Sequence, residues 1–190
     1  AMKLYVFKML KSANLIHITE NGERRALRAL GVDTECTLVP NGVELHHEFD
    51  QIDDKLLQNI SYCNKKMYIL FLGRIVHNKG LHYLLNSFDK LKGKYENAEI
   101  LVVGGIESEE YADGLVTTDR VRFLGVLDGI QKHTIFSISK LFVLPSKSEN
   151  FGMSIAEAMS YRLPIITTQG TPWQEIEYNN AGWWVELSQV

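Results

Sequence analysis

The stretch Leu141-Phe142-Val143-Leu144-Pro145-Ser146-Lys147-Ser148-Glu149-Asn150-Phe151-Gly152-Met153-Ser154-Ile155-Ala156-Glu157-Ala158-Met159 decides the fold class. Its first four residues are an apolar run that reads as a strand, Pro145 to Ser148 read as a polar turn, and a helix follows. The helix is expected to start near Phe151-Gly152, because Ile155, Ala158 and Met159 recur at i, i+3 and i+4. Its first turn offers backbone N–H groups without intrahelical acceptors and the positive end of the helix dipole, which together make an anion site. At a 1.5 Å rise per residue, Glu157 lies about 7–8 Å beyond Gly152, while Glu149 stays in the loop. Two carboxylates therefore flank one phosphate-sized site. Carboxylates repel phosphate, so their task concerns its neighbours: an ionised carboxylate is acceptor-only and can take both hydroxyls of a vicinal diol. Taken alone, Glu149 reads equally well as a loop charge and Glu157 as a solvated helix face.

A second cluster changes that balance. Met67-Tyr68-Ile69-Leu70-Phe71-Leu72 reads as a buried strand, followed by Gly73-Arg74-Ile75-Val76-His77-Asn78-Lys79-Gly80. A helix comes next, with Leu81, Leu84, Leu85 and Phe88 at i, i+3, i+4 and i+7. Arg74 and Lys79 thus stand between the carboxyl end of a strand and the start of a helix, where open α/β sheets bind ligands. A guanidinium fork and a flexible ammonium suit a diphosphate.

Gly73-Arg74…Lys79-Gly80, then Glu149-x-Phe151-Gly152 with seven residues between the two glutamates, resembles the donor-binding half of the group 1 (family 4) retaining glycosyltransferases of GT-B fold. Pro40-Asn41-Gly42-Val43 and Leu163-Pro164-Ile165-Ile166 fit the same family, so the likeness spans nearly the whole chain. The resemblance implies transfer of a sugar from a nucleoside diphosphate-sugar donor to a sugar, lipid-linked or other hydroxyl acceptor, with retention of configuration. It makes Arg74, Lys79 and Glu149 the catalytic-site residues of this chain. Arg74 and Lys79 would hold the diphosphate together with the backbone near Phe151, Gly152 and Met153, Glu149 the sugar, and Glu157 the ribose. Gly104 and the Gly125-Val126 turn would lie in the vicinity of the base, although a plain turn explains the latter equally well. Arg162 departs from the family, which usually has Gly there; in a left-handed conformation Arg costs about 1–2 kcal/mol.

The apolar runs near 14–19, 36–39, 67–72, 98–103, 121–124, 141–144, 164–168 and 182–185 alternate with helical patterns, the signature of a Rossmann-like, mostly parallel α/β sheet. Thr19 is the expected cap of a helix that stops at Gly31. Of Trp183 and Trp184, one should point away from the core, because successive strand residues face opposite sides. Residues 2–43 read as the remnant of an amino-terminal, acceptor-side domain, 44–64 as a linker, and 65–190 as a donor-binding domain. On that reading the chain is a fragment, inactive by itself, and the rest of the amino-terminal domain is where any peripheral membrane contact would lie.

Several functions are disfavoured. A net charge of −3 and no basic stripe argue against nucleic acid. No Asp-x-Asp pair occurs, so the site reads as metal-free, with Arg74 and Lys79 supplying the positive charge and no cofactor required. His46-His47 lack a third ligand and read as loop residues. Gly104-Gly105 is a faint dinucleotide fingerprint at most, and Glu107 to Glu110 would repel a pyrophosphate. Cys36 and Cys63 read as free thiols of a cytoplasmic protein, and no membrane span or signal peptide is apparent. Trp173 reads as packing at a domain surface; Glu175 follows a Gly-Thr-Pro turn where the family that the chain resembles often places an acidic residue near the donor. The alternatives are a non-catalytic Rossmann-type nucleotide-binding domain or a nucleotide-sugar epimerase. Glu149 discriminates, since a nucleotide sensor has no use for a carboxylate on the sugar side of the diphosphate.

Overall fold

Long apolar runs of Val, Ile, Leu and Phe without alternation mark strands buried on both faces, as parallel sheets require. A computed structural model of the chain describes residues 2–43, 51–91 and 93–189. The elements are α1 (Met2–Ser12), β1 (Ile16–Ile18), α2 (Asn21–Ala29), β2 (Cys36–Leu38), α3 (Asp54–Asn59), β3 (Met67–Leu72), α4 (Leu81–Lys90) and β4 (Ala98–Val103). They continue with α5 (Glu109–Asp113), β5 (Val121–Phe123), α6 (Gly129–Ile138), β6 (Ser139–Leu144), α7 (Met153–Ser160), β7 (Ile165–Thr168), α8 (Glu175–Tyr178) and β8 (Gly182–Val185). All eight expected strands are present. β6 starts two residues before its apolar run because α6 leads straight into it, Ser139 donating its hydroxyl to the Ile135 carbonyl at 2.6 Å.

β1 and β2 pair in parallel as a small sheet, and the other six strands form one parallel sheet in the order β5-β4-β3-β6-β7-β8. Numbered within that sheet, the order is 3-2-1-4-5-6, the doubly wound arrangement whose direction reverses between the first and fourth strands. Here these are β3 and β6, so the crevice lies between the loops that follow them. Arg74 and Lys79 sit on the first of those loops, Glu149 on the second, and Glu157 on α7, which follows the second.

The core lies against the six-stranded sheet. All of β4 is buried, as are Tyr68 to Phe71 of β3 and Phe142 to Leu144 of β6. The stripe expected on α4 (Leu81, Leu84, Leu85, Phe88) is its buried set. Trp183 is 56% exposed, whereas Trp184 is half-buried and donates its indole N–H to the Thr171 carbonyl at 3.0 Å, the split that strand geometry requires.

One expectation needs correction. The cap of α2 is Glu20, whose carboxylate accepts from the Gly22 N–H; Thr19 instead donates its N–H and hydroxyl to Glu23 at 2.6 and 3.0 Å. Within the stretch 44–64 lies α3, capped by Asp53 through the Leu56 N–H at 3.0 Å. Leu56 and Ile60 are buried in the core of the large sheet. His46 and His47 lie outside the described residues.

Candidate functional site

The loop after β3 and the loop after β6 are laced together before any ligand arrives. The Asn78 carbonyl accepts from the Lys147 N–H at 2.8 Å and the Ser146 hydroxyl at 3.1 Å, and the Asn78 amide donates to the Ser148 carbonyl at 3.1 Å. Gly80, at φ 72°, lets the chain pass so close that a β-carbon there would lie 2.0 Å from the Pro145 carbonyl oxygen. Only glycine accommodates both the left-handed backbone and that approach.

This lacing brings Lys79 onto Glu149. The ammonium donates to both carboxylate oxygens, at 2.6 and 2.7 Å, and the side chains are 15% and 9% exposed. Gly152 caps α7 with φ 80°, and the helix begins at Met153, one residue past the start expected from its pattern. By position, the N–H groups of Met153 and Ser154 have no intrahelical acceptor. Phe151 is fixed beside them by Trp173, which stacks edge-on at 5.2 Å between ring centres and donates its indole N–H to the Phe151 carbonyl. Trp173 therefore packs, as expected.

These groups converge. Arg74, Lys79, Glu149, Phe151, Gly152, Met153 and Glu157 all line one cavity of about 500 Å³ at the carboxyl ends of β3 and β6, within the usual range for small-molecule sites. Thr19, Glu23 and Asn41 close it from the small sheet's side, and Asn150 donates to Glu23 at 3.0 Å across the gap. Gly104 and Val126 do not line it. Gly104 ends β4 with its N–H on the Gly125 carbonyl at 2.8 Å, and Val126 is 76% exposed. Glu175 lines a neighbouring cavity with Trp173 and Trp184.

Every cation of the cavity already has a carboxylate. Arg74 pairs with Glu107 at 2.6 Å in the open, with side chains 64% and 47% exposed. Glu107, whose charge had read as hostile to a pyrophosphate, is thus a partner of the cation expected to bind one. Glu157 accepts from Lys132 at 2.7 Å, a residue that sequence reasoning did not single out. Lys132 sits on α6, which is buried on most sides and shows no clean stripe, and it lies 25 residues from Glu157; spacing carries no sign of the pair. One turn beyond Glu157, Tyr161 shares a 2.9 Å hydrogen bond with His133 and stacks on Phe136 at 4.8 Å. Burial, helped by the Glu157 carboxylate, pushes the Tyr161 phenol up to about 12, so it stays protonated.

The arrangement offers clustered positive charge, helix N–H groups and two acceptor-only carboxylates around one pocket. A model of the family described as glycosyl transferases group 1 matches residues 54–190. The chain belongs to the group 1 glycosyl transferases. This group 1 glycosyl transferase is 27% identical over 171 residues to the capsular polysaccharide biosynthesis glycosyltransferase CapM of Staphylococcus aureus, covering 86% of the chain and 45% of CapM. It is 30% identical over 156 residues to the phosphatidyl-myo-inositol mannosyltransferase of Mycolicibacterium smegmatis, covering 80% of the chain and 39% of that protein. Among solved structures, it resembles WaaG, a glycosyltransferase involved in lipopolysaccharide biosynthesis, with TM-score 0.75 at 19% identity over 94% of the chain and 52% of WaaG. It also resembles Anabaena HepE, solved in complex with UDP and glucose, with TM-score 0.74 at 18% identity over 91% of the chain and 49% of HepE. These likenesses show the fold, which is the Rossmann-like GT-B half expected from the sequence. The chain spans about half the length of the relatives it matches.

Proposed function

We propose that this chain supplies the donor site of a retaining glycosyltransferase, which moves a sugar from a nucleoside diphosphate donor to a hydroxyl acceptor. The observation that carries the reading is the convergence of Arg74, Lys79, Glu149, the start of α7 and Glu157 on one cavity. Arg74 and Lys79 receive the diphosphate and stabilise the charge that grows on it as the bond to the sugar breaks, aided by the N–H groups of α7. Glu149 takes hydroxyls of the transferred sugar, and Glu157 takes the ribose diol. Gly104 and the backbone at Val126 lie towards the base. No metal step is needed, because the cations are side chains.

Residues 2–43 belong, on this reading, to the acceptor-side domain and 65–190 to the donor domain, with 44–64 joining them. Acceptor and anomeric carbon meet only when both domains close, and that orientation can supply about 7–11 kcal/mol of a barrier. We therefore expect the 190-residue chain to hold a donor without transferring its sugar. Its described residues contain no helix long and apolar enough to cross a membrane. The two thiols, Cys36 and Cys63, are unpaired and part-exposed, which fits a reducing, cytoplasmic location.

The test is calorimetry of the chain with UDP and GDP, with and without a chelator. Binding of one of them, unchanged by chelation, is the expected result. Binding lost on chelation overturns the metal-free site, and binding of neither overturns the donor reading.

A further inference from the structure

We infer that Lys132 is a third donor-binding cation, one that takes the phosphate next to the ribose while Glu157 holds the ribose itself. The inference rests on the donor reading above and extends it to a residue outside the motifs that led there.

Three observations carry it. Lys132 lines the same cavity as Arg74 and Lys79, with its ammonium 2.7 Å from Glu157 and its side chain 29% exposed. An ammonium has three protons to give, and among the described residues Glu157 is its one hydrogen-bond acceptor. Two protons therefore remain for a ligand. Glu157 keeps acceptor capacity too, since a carboxylate can take about four donors; a ribose diol can bind without displacing Lys132.

Charge balance gives the reason for a third cation. The cavity is lined by Arg74, Lys79 and Lys132 against Glu23, Glu149 and Glu157, three charges of each sign. Without Lys132 the count is two against three, and a diphosphate would enter a net negative site. Position then selects which phosphate it meets. Lys79 is clamped to Glu149, at the sugar end, and Arg74 leans outward onto Glu107. Lys132 alone among the three stands at the ribose carboxylate. A nucleotide whose diol rests on Glu157 and whose far phosphate rests on Lys79 must place its ribose-linked phosphate between them.

The setting of Lys132 is fixed from both sides. Its neighbour His133 is hydrogen-bonded to Tyr161 at 2.9 Å, and Phe136 stacks on the same tyrosine. These contacts hold α6 against α7 and keep the ammonium at the cavity wall.

The experiment is calorimetry with UDP and GDP on the wild type, Lys132→Met, Lys132→Gln and Lys132→Arg, repeated for Lys132→Met in a Glu157→Gln background. The nucleoside diphosphate that the wild type prefers should bind Lys132→Met and Lys132→Gln about tenfold more weakly, and Lys132→Arg within about threefold of wild type. The loss should persist in the Glu157→Gln background, because the contact is to phosphate. Unchanged binding by the folded neutral variants overturns the inference while leaving the donor reading intact. A loss that vanishes in the Glu157→Gln background also overturns it, since Lys132 would then act only by orienting that carboxylate. A wild type that binds neither nucleotide overturns both.

Discussion

The two edges of the six-stranded sheet carry ion pairs of different kinds. At the carboxyl edge, Lys79–Glu149, Lys132–Glu157 and Arg74–Glu107 are one-to-one pairs, and the five residues other than Glu107 line a cavity. Towards the amino edge, Glu99 is buried at the start of β4 and bonded by two cations: Lys66 on one oxygen and Arg122 Nε on the other, the latter at 2.9 Å. One arrangement gives each carboxylate a single cation; the other holds one buried carboxylate between two. Single pairs lining a cavity mark charges that await a ligand, and a carboxylate held by two cations away from the cavity marks charges that serve the fold. The contrast gives each pair a distinct mutational signature.

The largest effect should come from Lys79→Met. It removes a diphosphate ligand and leaves Glu149, 9% exposed, without its cation. Binding of the preferred nucleoside diphosphate should fall about 100-fold, and stability by about 3 kcal/mol. Calorimetry and urea unfolding measure the two losses separately. A variant that loses stability but keeps its affinity would move Lys79 into the structural class and break the contrast.

Glu99→Gln tests the opposite edge. Burial raises the Glu99 carboxyl, but hydrogen bonds from Arg122 and Lys66 outweigh it and hold the group below its ordinary value of 4.5. A carboxyl depressed by folding contributes stability that is present above its unfolded pKa and lost as pH falls through its folded pKa. The substitution should cost about 2 kcal/mol at neutral pH, discounted because both cations can reach water. It should also flatten the fall in stability below pH 4.5, with nucleotide affinity unchanged. Unfolding curves between neutral pH and the acid range provide the check, and an altered affinity would show that the two edges are coupled.

Within the carboxyl edge, Glu149→Gln and Glu157→Gln should separate by ligand. Losing Glu157 should weaken nucleoside diphosphate and intact sugar donor alike, each about tenfold. Losing Glu149 should weaken the sugar donor by about the same factor, yet leave the nucleoside diphosphate bound as well as before or better, because Lys79 is released from its partner. Titration of each variant with both ligands decides the matter. The same pattern for both variants would reject the division between sugar and ribose ends.

How far the sequence reveals this division depends on the kind of interaction. Buried parallel strands declare themselves as unbroken apolar runs, so β3, β4 and β6 were legible residue by residue. Arg74, Lys79, Glu149 and Glu157 were legible because each follows or lies within an element with a clear pattern, and the structure brings all four to one cavity. The partners of Arg74 and Glu157 were not. Lys132 and Glu107 belong to other strand–helix units, and which units meet is set by strand order rather than by spacing. Glu107 read as a repelling charge for want of knowing that Arg74 faces it. The helix α3 was hidden in a polar stretch because six residues are too few to show a period.

The smallest predicted effect belongs to the amino edge, at the turn from α7 into β7. Arg162 holds φ 58° there, in the left-handed region where a β-carbon meets the neighbouring carbonyl, at about 1–2 kcal/mol for a non-glycine residue. Its N–H closes the helix by donating to Met159 at 2.8 Å, a bond that any residue but proline can make. The side chain is exposed, and no described group is hydrogen-bonded to it. Arg162→Gly therefore removes strain and sacrifices no contact, while adding the unfolded-state freedom of glycine, which offsets about half of the gain. The expected result is a net stabilisation of about 0.5–1 kcal/mol, a rise in Tm of about 1–4 °C, with nucleotide affinity equal to wild type. A fall in Tm would mean that the guanidinium makes a stabilising contact in solution. A change in affinity would mean that strain at the foot of α7 is transmitted along the helix to Glu157, which would join the two edges that the ion pairs keep apart.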